Sequence, residues 1–480
     1  MEVTIDGCSN RGKIRNPDFK FCRVPLREVV VDFCFRRVKR SAIAAGALAL
    51  LTNFVSVPPV VAHEAGQQAA ATKNYKDRDE YDLFKKITET TDPKARLQLL
   101  NTWQDKYPTS DYAPERLQYF IATLQQLAGS DSTQRQALIN KCEEKLKTDP
   151  TNFQANYLVS VWGPAVGGSS PSPDLLSEID TSAHATITGI ENPANKPANV
   201  TDDQWNKAKT QAIAIAHNAL AYVDSSKKDI PGAEAEYRAS LTSNPDQGNV
   251  SKALADLLLS TKDDKKYPDA LFEYARAAEY SGPGLAIPAD GRAKLLAYFN
   301  DFYTKYHGSA DGASQVLDQA KTNALPPAGF TIGSAQKLAQ DEANKLQARI
   351  DSDPAFKLWY SIESNLKDKG DAFFDSSVKD YEIPGGAEGV KNFSGTVISA
   401  DPSKVTLGVE DPAKPDTTLL FTTPLKDTEA AKIKVGDKLE FSGIADSFVK
   451  DPYMLTFKDP TIPGVETTAP AKVSKKGKKR

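Results

Sequence analysis

Between about Tyr81 and Tyr381 the apolar side chains recur at helical spacing, and after Pro384 they alternate with polar ones at the period of a strand. One pattern occurs twice in the helical region: in KKDIPGAEAEYRASLTSNP from Lys227 to Pro245, and in KKYPDALFEYARAAEYSGPG from Lys265. Ala233, Tyr237 and Ser240 precede Ala270, Tyr274 and Ala277 by 37 residues. Positions four and then three apart fall on one stripe of a helix. Small residues on that stripe let a neighbouring backbone approach, while the aromatic fills the groove beside it. The pattern predicts stacked helical hairpins, with Leu220 and Ala221 on the first helix of one hairpin and its turn at Lys228 and Asp229. Between Ala255 and Ala270 the second copy holds about three extra residues, which lengthen its turn.

The Leu-small pair, the small-x-x-x-aromatic-x-x-small helix and the closing Pro245 resemble a tetratricopeptide repeat, with His217 where an aromatic is usual. Ala95 to Gly129 is similar to repeats of bacterial envelope proteins, one helix ending at Tyr107-Pro108 and the next starting after Ser110-x-Tyr112-Ala113-Pro114. A further echo spans Leu295 to Leu317, and the boundary at Asp149-Pro150 matches Asn244-Pro245. The resemblance implies a mainly α protein, an α-solenoid over residues 75–382. An irregular helical domain whose aromatic stripes are plain core is the alternative. In such solenoids the first helix of each hairpin lines a concave face, which would carry Ile215, Asn218 and Tyr222. Asn218 would then bond an extended partner's backbone and Tyr222 would offer stacking area. The other reading has Ile215 and Tyr222 packing on the preceding helix.

Past IPGGAEG five runs, FSGTVIS, SKVTLGVE, TTLLFTT, DKLEFSGIA and YMLTF, alternate between turn residues and predict a small β-barrel over residues 390–460. KVGDKLEFSGIADSF, with Gly443 bending its strand, resembles the OB-fold style of barrel; a five-strand sandwich or SH3-like barrel is the alternative. Most of its aromatics alternate inward. Phe448 and Tyr453, beside a turn, are the expected surface pair. Charges around them are mixed, so no groove of one sign serves a nucleic acid.

Charge adds the setting. The apolar run Ser41 to Val57 follows Arg36, Arg37, Lys39 and Arg40, which predicts a secretory signal cleaved after Ala62 and an exported, periplasmic or secreted protein. Residues 1–35 precede any ordinary signal and read as a start placed too early, with a long leader or an uncleaved anchor through residues 41–57 as the alternatives. Residues 1–62 hold ten Lys and Arg against five Asp and Glu, leaving 50 basic and 58 acidic residues in the mature chain. A net acidic body argues against general nucleic-acid binding. Residues 461–480 read as a solvated linker and tail whose Lys475, Lys476, Lys478, Lys479 and Arg480 would also suit an anionic surface.

Candidate chemistry is sparse. His63, His184, His217 and His307 form no metal-binding helical pair, Gly163 to Asp174 lacks the Gly-Lys-Ser/Thr ending of a phosphate loop, and GSADG lacks a nucleophile elbow's strand. No cofactor and no metal are expected. The expected function is non-catalytic protein binding in the cell envelope; the alternative is glycan or small-ligand binding by the barrel.

Overall fold

The computed structural model describes residues 73–386 and 389–467. The leader, its cleavage point after Ala62 and the basic residues Lys475 to Arg480 lie outside the described residues. The chain forms two compact units, one ending at Phe302 but including Asp311–Thr331, the other made of Tyr303–Ala310 and everything from Ile332 onward.

The first unit is helical. Its helices are α1 (Arg78–Glu89), α2 (Pro93–Lys106), α3 (Ala113–Ala128), α4 (Ser132–Thr148), α5 (Phe153–Gly167) and α6 (Pro173–Glu191). They continue with α7 (Asp202–Lys227), α8 (Ile230–Ser243), α9 (Gly248–Ser260), α10 (Tyr267–Glu279), α11 (Ala289–His307) and α12 (Ala313–Thr322). The dividing line between the units falls within α11. Start signals lie in the sequence. Asp92 accepts from the Ala95 amide at 2.7 Å just before Pro93, Ser172 accepts from Leu175 before Pro173, and Thr201 with Gln204 forms a capping box on α7.

From α1 to α10 consecutive helices pack on one another, and α10 also packs on α12; the inward stripes of α1 to α7 merge into a core that includes Leu100, Trp103, Phe120, Leu138, Trp162 and Ile179. Gly163 lies inside α5, and a Cβ there would meet Ile179 Cγ1 at 2.5 Å. Only a glycine lets α6 come so close.

The repeated pattern maps onto equivalent helices. Ala233 and Ser240 of α8, and Ala270, Tyr274 and Ala277 of α10, are all buried, and α7 packs on α8 as α9 packs on α10. The first hairpin turns at Lys228, whose φ of 63° is left-handed, and Asp229 caps α8 through the Gly232 amide. In the second hairpin the additional residues form a 3-10 turn, Asp264–Lys266, after left-handed Lys262. Turn length differs while the packed faces keep their register.

The second unit contains α13 (Ala335–Ser352), α14 (Pro354–Lys369) and a curled, half-barrel sheet of seven strands. The strands are β1 (Glu382–Ile383), β2 (Phe393–Asp401), β3 (Lys404–Gly408), β4 (Thr417–Leu420), β5 (Lys438–Phe441), β6 (Gly443–Lys450) and β7 (Tyr453–Lys458), in the order β1-β6-β7-β4-β3-β2-β5. β4 and β7 run parallel and every other pair antiparallel. A short helix, α15 (Asp427–Ala430), lies between β4 and β5 in sequence. The run expected as one strand, DKLEFSGIA, breaks at Ser442, and β6 extends onward to Lys450.

The expected domain boundary near Pro384 is corrected. Trp359, Ile362 and Leu366 of α14 share one core with Phe393, Phe441 and Phe457 of the sheet, and the Trp359 and Phe393 ring centroids are 5.2 Å apart. The half-barrel buries its inner face against a helix that the sequence assigned to the repeats.

Candidate functional site

The long helix α7 carries Ile215, Asn218 and Tyr222 on one face, and the structure commits all three to internal contacts. Ile215 and Tyr222 are half-buried against the core of the first unit. Tyr222 donates its hydroxyl proton to the Gly168 carbonyl at 2.9 Å, closing the end of α5. Asn218 Nδ2 donates to Gln247 Oε1 at 3.0 Å. Gln247 is itself buried and donates to Ser240 O at 3.2 Å, Ser240 Oγ at 3.0 Å and Asn244 O at 2.9 Å. Asn218 Oδ1 is shielded from solvent and unpaired. Of the side chains expected to face a partner, Asn218 and Tyr222 thus hydrogen-bond within the chain, and all three are half-buried.

A charged clip, missed by sequence reasoning, joins successive hairpins. Arg238 of α8 donates to Glu234 one turn away and to Asp269 Oδ2 of α10 at 2.6 Å, while Lys266 reaches Glu234. Burial alone would push the Glu234 carboxyl up, but the hydrogen bonds from Lys266 and Arg238 outweigh it and hold the group below the usual range. His217 Nδ1 lies 2.6 Å from Glu236 Oε2, linking α7 to α8. His307 Nδ1 lies 2.8 Å from the Gly333 carbonyl.

Of the two expected surface aromatics in the second unit, Tyr453 is buried and Phe448 half-buried. The β6–β7 hairpin pairs Phe448 with Leu455 and Lys450 with Tyr453, so both residues lie on strands. Tyr453 is buried, its ring 6.4 Å from Trp359, and its hydroxyl has no partner. Burial and the Glu363, Asp416 and Glu410 carboxylates push the Tyr453 phenol up. Phe448 is half-buried, with its ring 5.2 Å from Phe374. A cleft of about 320 Å³ opens elsewhere on this unit, lined by Arg349, Phe356, Lys391, Asn392 and Glu440 among others. Arg349 stacks on Phe356 and donates to Val409 O at 2.7 Å and Glu410 O at 2.6 Å, and Asn392 Nδ2 donates to Glu440 at 3.0 Å. The lining combines the aromatic Phe356 and Phe393 with both signs of charge.

Among the described residues no group of three or more His, Cys, Asp or Glu is placed to hold a metal ion. No helix among them is long and apolar enough to cross a membrane.

No family model matches the chain, and no curated protein does. Among solved structures, a thermophilic TPR protein of Thermus thermophilus is similar to it at 16% identity, over 46% of this chain and 98% of that one, with a TM-score of 0.25.

Proposed function

We propose that the helical unit is a tetratricopeptide-like solenoid that binds protein without catalysis, in a chain exported to the cell envelope. One observation carries this reading: two successive hairpins, α7–α8 and α9–α10, bury small residues at positions 37 residues apart, Ala233 with Ala270 and Ser240 with Ala277. Repetition of a packing unit, rather than of a single helix, is what builds an extended surface for a partner. Accessible positions on the first helices in this reading include Lys207 of α7 and Asp256 of α9, the latter exposed although it accepts from the Tyr274 hydroxyl, while Asn218 and Tyr222 are half-buried. The test is photo-crosslinking in the source cell from Lys207 and Asp256 and, separately, from exposed Asp446 and Lys450 of the sheet. A stoichiometric protein adduct from the helical positions supports the scaffold. Adducts from neither pair, or from the sheet positions alone, overturn it.

A second reading, glycan or small-ligand binding by an OB-like barrel, draws support from the parallel β4–β7 pair and from the direct passage of β5 into β6 through Ser442. That continuity brings the two ends of a five-strand closed order onto one bent strand. The cleft by Arg349, Lys391 and Glu440 offers donors and acceptors suited to a hydroxyl-rich ligand. A rise in melting temperature of the full chain with cell-wall glycan fragments, lost on Lys391→Ala, would favour it. The Lys-rich end, Lys475 to Arg480, is in this proposal a contact for an anionic envelope surface.

A further inference from the structure

The two hairpins differ at one equivalent pair. Glu236 and Glu273 are 37 residues apart, as are the other matched positions of α8 and α10. On the first helices the Leu220-Ala221 and Leu254-Ala255 pairs are 34 apart, which sets His217 against Ser251. In the first hairpin His217 meets Glu236 at 2.6 Å. In the second the imidazole is replaced by a hydroxymethyl, and the glutamate remains. Glu273 is fully buried, neither of its carboxyl oxygens completes a hydrogen bond, and the Ser251 hydroxyl is likewise buried and unpaired. Two arginines act on Glu273 without forming an ion pair, and the Nε of Arg276 is itself buried and unpaired. Arg276 donates to the carbonyls of Ala320, Lys321 and Pro245, and Arg238 to Glu234 and Asp269.

We propose that Glu273 and Ser251 form a proton-operated latch between α9 and α10, closed while the carboxyl is protonated and weakened when it ionises. Ser251 can accept from the neutral carboxyl or donate to the ionised one, so it is burial that sets the two forms apart: a neutral carboxyl costs little to bury, whereas a carboxylate with no ion-pair partner is among the most unfavourable groups a core can hold. Burial, reinforced by Asp269 and opposed by the Ser251 hydroxyl, Arg238 and Arg276, raises the Glu273 carboxyl to about 8 in all. The ordinary value is 4.5, so the unfolded chain releases this proton at lower pH than the folded one. Stability from the latch is complete below that value and is lost as pH rises toward the folded value, by about tenfold per pH unit in the closed-to-open ratio. The first hairpin, with its His217–Glu236 pair, lacks this dependence on Glu273.

The test is amide hydrogen exchange of the full chain over residues 248–279, corrected for intrinsic rates, at a series of pH values from 4.5 to 8, for the wild type and Glu273→Gln. Protection in the wild type should fall relative to the variant by about tenfold per pH unit. Parallel profiles overturn the latch. If Glu273→Gln does not fold, the carboxyl carbon of Glu273 is titrated by NMR in the wild type. A midpoint above 6.5 supports the proposal, and a lower midpoint overturns it.

Discussion

The Tyr222 hydroxyl donates to the Gly168 carbonyl at 2.9 Å across 54 residues of sequence, pinning the molecule's long helix to the loop after α5. Tyr222→Phe should cost about 1 kcal/mol, the usual net worth of one hydrogen bond, and Tyr222→Ala about 3 kcal/mol through the cavity it leaves. A Cβ on Gly167 would run into the same hydroxyl. Gly167→Ala should therefore be less damaging in the Tyr222→Phe background than in the wild type, a coupling that a double-mutant cycle by urea denaturation measures.

Glu80 is fully buried on α1 and accepts from the Trp103 indole at 2.9 Å and the Lys76 amide at 2.6 Å. Burial alone would raise its carboxyl, but the hydrogen bonds from Ser110, Lys76 and Trp103 hold it below the ordinary value. Its stabilising contribution is present above that value and lost as pH falls through the lowered folded one. Glu80→Ala should cost about 2 kcal/mol or more at pH 7, because it strands the buried indole N–H, and should flatten the acid limb of the stability profile.

Glu363 behaves in the opposite sense. It is buried on α14, pairs with Lys367 through one oxygen and leaves the other unpaired. Burial pushes it up; Lys367 opposes this, and Glu410 and Asp416 reinforce it. A raised acid is stabilising below its ordinary value of 4.5 and loses that contribution as pH rises toward the folded one. Melting curves of Glu363→Gln should thus lose some of the wild type's decline between pH 5 and pH 8. An unchanged decline would show that Glu363 does not titrate in the folded unit.

Cys142 is fully buried in α4, and burial with the Glu178 and Glu143 charges raises its thiol. A thiol so placed reacts only when the helices separate. Native protein should resist maleimide labelling at this site for hours, and denaturant should expose it at the midpoint of the main unfolding transition. Labelling far below that midpoint would mean that α4 opens on its own.

The helical hairpins are legible in the chain because small residues have few reasons to recur beside an aromatic other than close helix packing. Ala233 and Ala270 do so at identical places. The boundary between units is not legible in the same way. The Trp359, Ile362 and Leu366 stripe has one spacing whether it meets a helix or the inner face of a sheet, and only the fold decides. Tyr453 reads as a surface residue because it adjoins Asp451-Pro452, yet its alternation with Leu455 and Phe457, which point to the same side, is the signal that places it in the core. For Asn218 and Tyr222 the sequence supplies the face but not the occupant. Gln247 and Gly168, 29 and 54 residues away, hydrogen-bond to these two side chains.

The longer turn of the second hairpin also has a practical side. Thr261 to Lys266 connects helices whose alignment is set by their packed faces, and four of those residues are exposed. Chain length there is decoupled from the architecture, since loop closure grows only slowly more costly with added residues. A short peptide tag or a small fluorescent reporter grafted between Asp263 and Asp264 would ride on the helical unit without disturbing it, giving a handle in the middle of the sequence while both termini keep whatever duties they have.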